Sequence, residues 1–219
     1  MGFFQAGSMN EECEKAAKIL KGFAEKKKIP PEVINNAKGL AIFSGFRGGM
    51  YLAGAGGSGI VIARLADGTW PPPSAISVRS GSFGIVYGFD VYDCVCVLNT
   101  QATVDAYARP EVDMGMVAAL GGSSKSQNAA SVLTYTRSRG LYGGVTVEGT
   151  VIKERADINE TSYGRGASST EILEGDAKVR EEGAGLSRLG EVLKQAAGQT
   201  ADRKIVEQVA EEDTPGALE

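Results

Sequence analysis

The sequence predicts an α+β fold, with a curled or barrel-like, mainly antiparallel sheet between an N-terminal amphipathic helix and C-terminal helices. Three observations carry this. Residues 10–28 have helical periodicity, short β-branched and aromatic runs broken by glycine fill Leu40 to Arg155, and helical periodicity returns after Ser168. Thirty glycines in 219 residues argue against a helical bundle, because glycine weakens helix interiors. With 42% apolar and 23% charged residues, the composition is that of a globular domain with a real core.

Residues 1–9 are expected to be a flexible leader. Met1-Gly2 opens a myristoylation pattern, but Ala6 stands where Ser or Thr is required. In the first helix Asn10 is the expected N-cap, and Glu11 and Glu12 sit in the first turn, where the helix dipole favours anions. Cys13, Ala16, Ala17, Leu20, Phe23 and Ala24 form one apolar stripe. Lys15, Lys18, Lys21 and Lys26-Lys27-Lys28 lie off it, and Pro30-Pro31 ends the helix. A short second helix is expected over Pro31 to Ala37, closed by Gly39.

Seven runs then read as strands: Leu40–Phe43, Gly59–Leu65, Ala75–Val78, Val91–Leu98, Val112–Leu120, Ser131–Thr136 and Tyr142–Ile152. Asp67-Gly68 is a turn signal, and Pro71-Pro72-Pro73 is a stiff connector. A sheet of this kind is expected to close or curl strongly to hide its edges. A short helix should follow Thr100 and stop before Pro110. Ser168 and Glu171 have capping-box spacing and open a helix through Leu173. Residues 176–212 are expected to be helical, with Leu186, Leu189, Leu193 and Ala197 on one stripe and Ile205 and Val209 on another after Gly198.

The chain has no histidine, which excludes a His-dependent triad, a His general base and every His-containing zinc site. Cys13, Cys94 and Cys96 fit reduced thiols better than a disulfide framework. No apolar run approaches the ~18 residues of a membrane-spanning helix, and no secretory leader is seen, so a soluble cytoplasmic protein is expected. Residues 1–175 carry 17 Lys and Arg against 17 Asp and Glu, while residues 176–219 carry 6 against 10. A balanced body with an acidic end is not built for nucleic acid.

Three motifs have chemical precedents that their context does not support. Gly54-Ala55-Gly56-Gly57-Ser58-Gly59 has the spacing of a dinucleotide-binding loop, but it runs into the strand Ile60-Val61-Ile62 instead of a helix. A glycine-rich turn or close sheet packing is the better reading. Gly121-Gly122-Ser123-Ser124-Lys125-Ser126 lacks the spacing of a phosphate loop. Asp157-Ile158-Asn159-Glu160-Thr161 begins like a calcium loop, but Ser162 replaces the required Gly and Ser168 the required Glu. A charged turn is expected there. The basic amphipathic helix remains. It serves either as an ordinary core helix with solvated lysines or as an interfacial helix drawn to anionic lipid.

The ordered set Ala16-Ala17-Lys18-Ile19-Leu20, Ala37-Lys38-Gly39-Leu40-Ala41-Ile42, Gly56-Gly57-Ser58-Gly59, Asp67-Gly68-Thr69-Trp70, Ser138-Arg139-Gly140-Leu141 and Tyr163-Gly164 resembles the SYLF domain family. The family occurs in endocytic adaptors, often beside a Src-homology-3 or FYVE module, and the resemblance covers about residues 10–175. It implies binding to phosphoinositides and other acidic phospholipids, association with actin filaments, contact with endocytic adaptor proteins, no catalysis and no cofactor. Ala55 stands where the family commonly has Arg, and Gly121 to Gln127 replaces a Gly-Pro-Leu-Gly-Arg-like loop with Lys125 as its only cation.

On this basis residues 1–9 are the leader, 10–175 a SYLF-like domain and 176–219 an acidic helical extension. The expected lipid-binding cations are Lys15, Lys18, Lys21, Lys26, Lys27, Lys28, Arg47, Lys125, Arg137 and Arg139, on a protein attached peripherally to membrane and actin cortex. Two other readings stand beside this one. One is an actin-bundling scaffold with incidental lipid affinity. The other is a divalent-ion-dependent regulatory domain using Asp90, Asp93, Glu148 or Asp157.

Overall fold

The computed structural model describes residues 7–120, 123–124, 131–139, 141–180 and 183–209. Helix α1 (Met9–Glu25) opens two residues earlier than an Asn10 cap would have it. Ser8 is the cap: its hydroxyl accepts from the Glu11 amide at 3.3 Å, and Glu11 returns a carboxylate to the Ser8 amide at 3.2 Å. Asn10 is instead turned to tertiary use, accepting from the Gly185 amide at 2.8 Å. At the far end Lys27 takes the left-handed conformation at φ 51°, and the amides of Lys27 and Lys28 return to the carbonyls of Ala24 and Phe23. Helix α2 (Pro31–Asn36) follows, with Pro at its first position.

The expected short strands merge. Strands β1 (Gly39–Ala63) and β2 (Ser74–Leu98) are 25 residues each and pair antiparallel, with a register shift between Met50 and Leu52. Glycine clusters do not end these strands, because β1 doubles back on itself and glycine is what allows its halves to touch. A methyl group built on Gly59 would collide with the Ile42 carbonyl, one on Gly57 with that of Ser44, and one on Gly45 would lie 2.9 Å from the Gly56 oxygen. The glycine run at 54–59 is therefore a close-packing device and not a nucleotide loop.

After helix α3 (Gln101–Tyr107), capped by Thr100, come β3 (Glu111–Leu120), β4 (Ser123–Ser124), β5 (Val132–Ser138) and β6 (Leu141–Glu154). The strand order is β1-β2-β6-β3-β4, with β5 also on β2. Strands β5 and β6 lie against β2 in one continuous register, from Leu98 opposite Val132 to Ile76 opposite Glu154. The result is an α+β fold with a curled antiparallel sheet that does not close into a barrel.

Helices α4 (Ala156–Tyr163), α5 (Ser169–Glu174), α6 (Ala184–Ala196) and α7 (Arg203–Gln208) complete the described chain. The stretch around Asp157, read as a charged turn, is helix α4. Helix α5 has the expected capping box from Ser168 to Glu171, and Gly175 ends it in the left-handed region. Side-chain alternation gives the sheet two apolar faces. Leu40, Ile42, Ile60, Ile62, Val95 and Val97 lie under α1 and α6, sharing one core with Leu20, Phe23, Leu189 and Leu193. Ala41, Phe43, Cys94, Cys96 and Leu98 face the other way, against Val104, Tyr107 and Leu173. No helix among the described residues is long and apolar enough to cross a membrane.

Candidate functional site

The apolar stripe of α1 is spent in the core: Cys13, Ala16, Ala17 and Leu20 are fully buried. What α1 offers to a partner is therefore its cations, and their fates diverge. Lys15 bends inward, its ammonium 2.6 Å from the Glu12 carboxylate and 2.7 Å from the Ser58 hydroxyl on β1. Glu12 is wholly buried, with Arg155 on its other side at 3.9 Å. Burial pushes the Glu12 carboxyl above its usual range against the pull of Lys15, and burial lowers the Lys15 ammonium against the pull of Glu12. Lys21 is buried too, donating to the Val209 carbonyl at 2.9 Å.

Lys18 is half-buried on the helix flank. Lys26, Lys27 and Lys28 are exposed, and none of the three forms an ion pair among the described residues. The turn that carries them is held by the two amide–carbonyl bonds that close α1. Three adjacent ammonium groups thus stand in water on an ordered main chain.

The expected arginines belong to two buried ion-pair groups on opposite faces of β2. On the face under α1, Asp93 is fully buried and receives Arg137 at 2.9 Å and also Arg139. The Arg137 guanidinium also lies 5.5 Å from the ring centre of Phe23 on α1. On the other face, Asp90 takes Arg47 at 2.9 Å, the Ser138 hydroxyl at 2.8 Å and the Arg139 amide at 3.0 Å. The Arg47 guanidinium sits 5.3 Å from the Tyr92 ring centre. These belts join β1, β2 and β5, and their carboxylates hold Arg47, Arg137 and Arg139, three of the ten expected lipid-binding cations. Lys125 lies outside the described residues.

The fold brings Lys15, Arg137 and Arg139 toward one another around Asp93 and Glu12, and leaves Lys26–Lys28 at the end of α1. Sequence reasoning missed Arg155 and the burial of Glu12. The one signal was the position of Glu12 beside the apolar stripe.

Among the described residues no group of three carboxylates or thiols is placed to hold a metal ion. Asp157 pairs with Arg155 at 2.6 Å, and Glu148 stands in β6 opposite Ser82. The sulfurs of Cys94 and Cys96 are 3.7 Å apart as free thiols. Burial, with the charges of Glu12 and Glu14, pushes the Cys13 thiol up to about 12, so it is no nucleophile at neutral pH.

A family model described as Ysc84, Las17-binding protein actin regulator, matches residues 79–196, a span that runs through α6. Human SH3 domain-containing YSC84-like protein 1 is 39% identical over 186 residues, covering 77% of this chain and 54% of that protein. LAS seventeen-binding protein 3 of Saccharomyces cerevisiae (strain ATCC 204508 / S288c) is 36% identical over 187 residues, covering 77% and 41%. Protein YSC84 of the same yeast is 35% identical over 191 residues, covering 78% and 41%. The chain thus spans about half the length of the curated relatives it matches. No solved structure matches it.

Proposed function

Because this chain belongs to the Ysc84 (SYLF) family of Las17-binding actin regulators, we propose that it is a non-catalytic module joining acidic membrane to the actin machinery of endocytosis. The observation that carries the membrane half is the exposed turn Lys26-Lys27-Lys28, which forms no ion pair among the described residues. A lysine near an anionic bilayer is worth ~1 kcal/mol, so three together favour a phosphoinositide surface over a neutral one by roughly a hundredfold. Salt screens such contacts, and binding should weaken as ionic strength rises. Lys18, half-buried about two turns earlier on α1, and Lys125 are kept as further proposed contacts. Lys15, Lys21, Arg47, Arg137 and Arg139 have internal partners and serve first to hold the fold.

The actin half is supported by the description of the family and by the names of the yeast relatives. Las17-type adaptors and actin filaments are the partners this reading implies, at the cytoplasmic face of the membrane. The absence of histidine agrees with a binding role.

Co-sedimentation with phosphatidylcholine vesicles, with and without phosphoinositide, tests the membrane half. Binding should need the phosphoinositide and should be lost in the Lys26→Glu, Lys27→Glu, Lys28→Glu triple variant. Equal binding to both vesicles, or no loss in the variant, overturns it. Filament pelleting tests the actin half, and no pelleting at any stoichiometry overturns that. Low-speed pelleting of filaments by the monomeric protein would favour the bundling scaffold.

A further inference from the structure

The burial of Lys21 is hard to understand as a stabilising feature alone. An ammonium is expensive to desolvate, and this one is given a single carbonyl at 2.9 Å and the Glu25 carboxylate at 3.9 Å. The carbonyl belongs to Val209, the residue that caps α7. Helix α7 has six residues, too few to hold helical form without packing. Among the described residues of this segment, the buried side chains are Val206 and Val209, both in the core shared with α1.

Helix α7 runs back along α1. Arg203 and Val206 line a groove with Lys21 and Glu25, while Gln208 and Val209 line the next with Lys15, Lys18 and Arg188. Its start is pinned to α6, where the Asp202 amide donates to Glu191 at 2.7 Å. Among the described residues, this short segment is thus pinned at its start to α6 and held at its end by two buried valines and the Lys21 hydrogen bond. Residues 203–219 carry two cations and five carboxylates, and beyond Val209 the sequence has Glu211, Glu212, Asp213 and Glu219 with no cation. The segment that hides a lysine is therefore continuous with a stretch whose sequence is acidic.

We propose that α7 is an autoinhibitory strap: docked, it hides Lys21, and lifted, it yields Lys21 beside Lys18 to an acidic lipid surface. This rests on the membrane reading above. Opening trades the burial of two valines for hydration of the ammonium, and an anionic bilayer selects the open state because only that state presents the extra charge. One further lysine at the surface corresponds to about fivefold in affinity.

Hydrogen exchange on the unmodified chain, with and without phosphoinositide-containing vesicles, is the direct test. Amides of residues 203–209 should exchange faster on the vesicles, while those of 26–28 slow. Protein that sediments with the vesicles but shows no change at 203–209 overturns the strap and leaves the membrane reading intact. Protein that does not sediment overturns the membrane reading, and the strap with it. The charge-neutral pair Val206→Ser, Val209→Ser should bind these vesicles about fivefold tighter, and adding Lys21→Gln should remove the gain. Unchanged affinity in the folded double variant overturns the proposal. Should the double variant not fold, the exchange measurement on the parent decides.

Discussion

Glu12 and Lys15, one turn apart on α1, form an ion pair of 2.6 Å whose carboxylate is completely buried. The pair converts a surface-type helix position into an interior one and ties α1 to β1 through Ser58. It separates the lysines that hold the fold from those that face outward.

Removing Lys15 should therefore act on stability. Lys15→Met leaves the Glu12 charge buried without its nearest cation, Arg155 standing farther off at 3.9 Å, a loss of about 3–5 kcal/mol for a broken buried pair. Lys28→Met, at an exposed position, should change stability by less than about 0.5 kcal/mol. Urea unfolding of the two variants measures the contrast, and equal midpoints would refute it.

The same pair sets a pH dependence. Burial raises the Glu12 carboxyl above 4.5, so between that value and its native one the folded state holds a proton that the unfolded state has released. The contribution of Glu12 to stability is full below 4.5 and is lost as pH rises through the raised value. Measured against Glu12→Gln, the parent should lose relative stability over that window. A carboxyl titration midpoint for Glu12 at or below 4.5 by NMR would contradict this.

Lys27 occupies a left-handed position, φ 51°, that glycine fills at lower energy. Lys27→Gly should raise stability by about 1 kcal/mol while weakening binding to phosphoinositide vesicles by about fivefold. Thermal unfolding and vesicle sedimentation on one preparation read both signs. A variant that is less stable, or binds as well, would show that the lysine is not held there for its charge.

Two glycines from the same run should respond differently. Gly59→Ala forces a methyl group into the Ile42 carbonyl where β1 doubles back, a loss of about 3 kcal/mol or more. Gly54→Ala meets nothing within 4 Å and should be tolerated. Circular dichroism and urea unfolding of the pair would decide, and indifference at Gly59 would rule out the close approach.

Sequence alone determined what depends on neighbours along the chain. Helical period placed α1, cap chemistry placed α5 and the Thr100 start of α3, and the alternation of glycine with β-branched residues announced a curled antiparallel sheet. The absence of histidine narrowed the chemistry, and a scatter of short motifs was enough to indicate the family. Tertiary structure decided everything that depends on which distant group stands opposite. It merged the short runs into two 25-residue strands, because only contact between the halves of β1 shows that its glycines are packing surfaces. It sorted the cations, because a lysine or arginine reads the same in sequence whether a carboxylate or water awaits it. Asp90 and Asp93 claimed Arg47, Arg137 and Arg139 across the fold, the packing of α1 on β1 turned Lys15 inward to Glu12 and Ser58, and the turn after α1 kept its three charges because the chain ends its helix there in solvent.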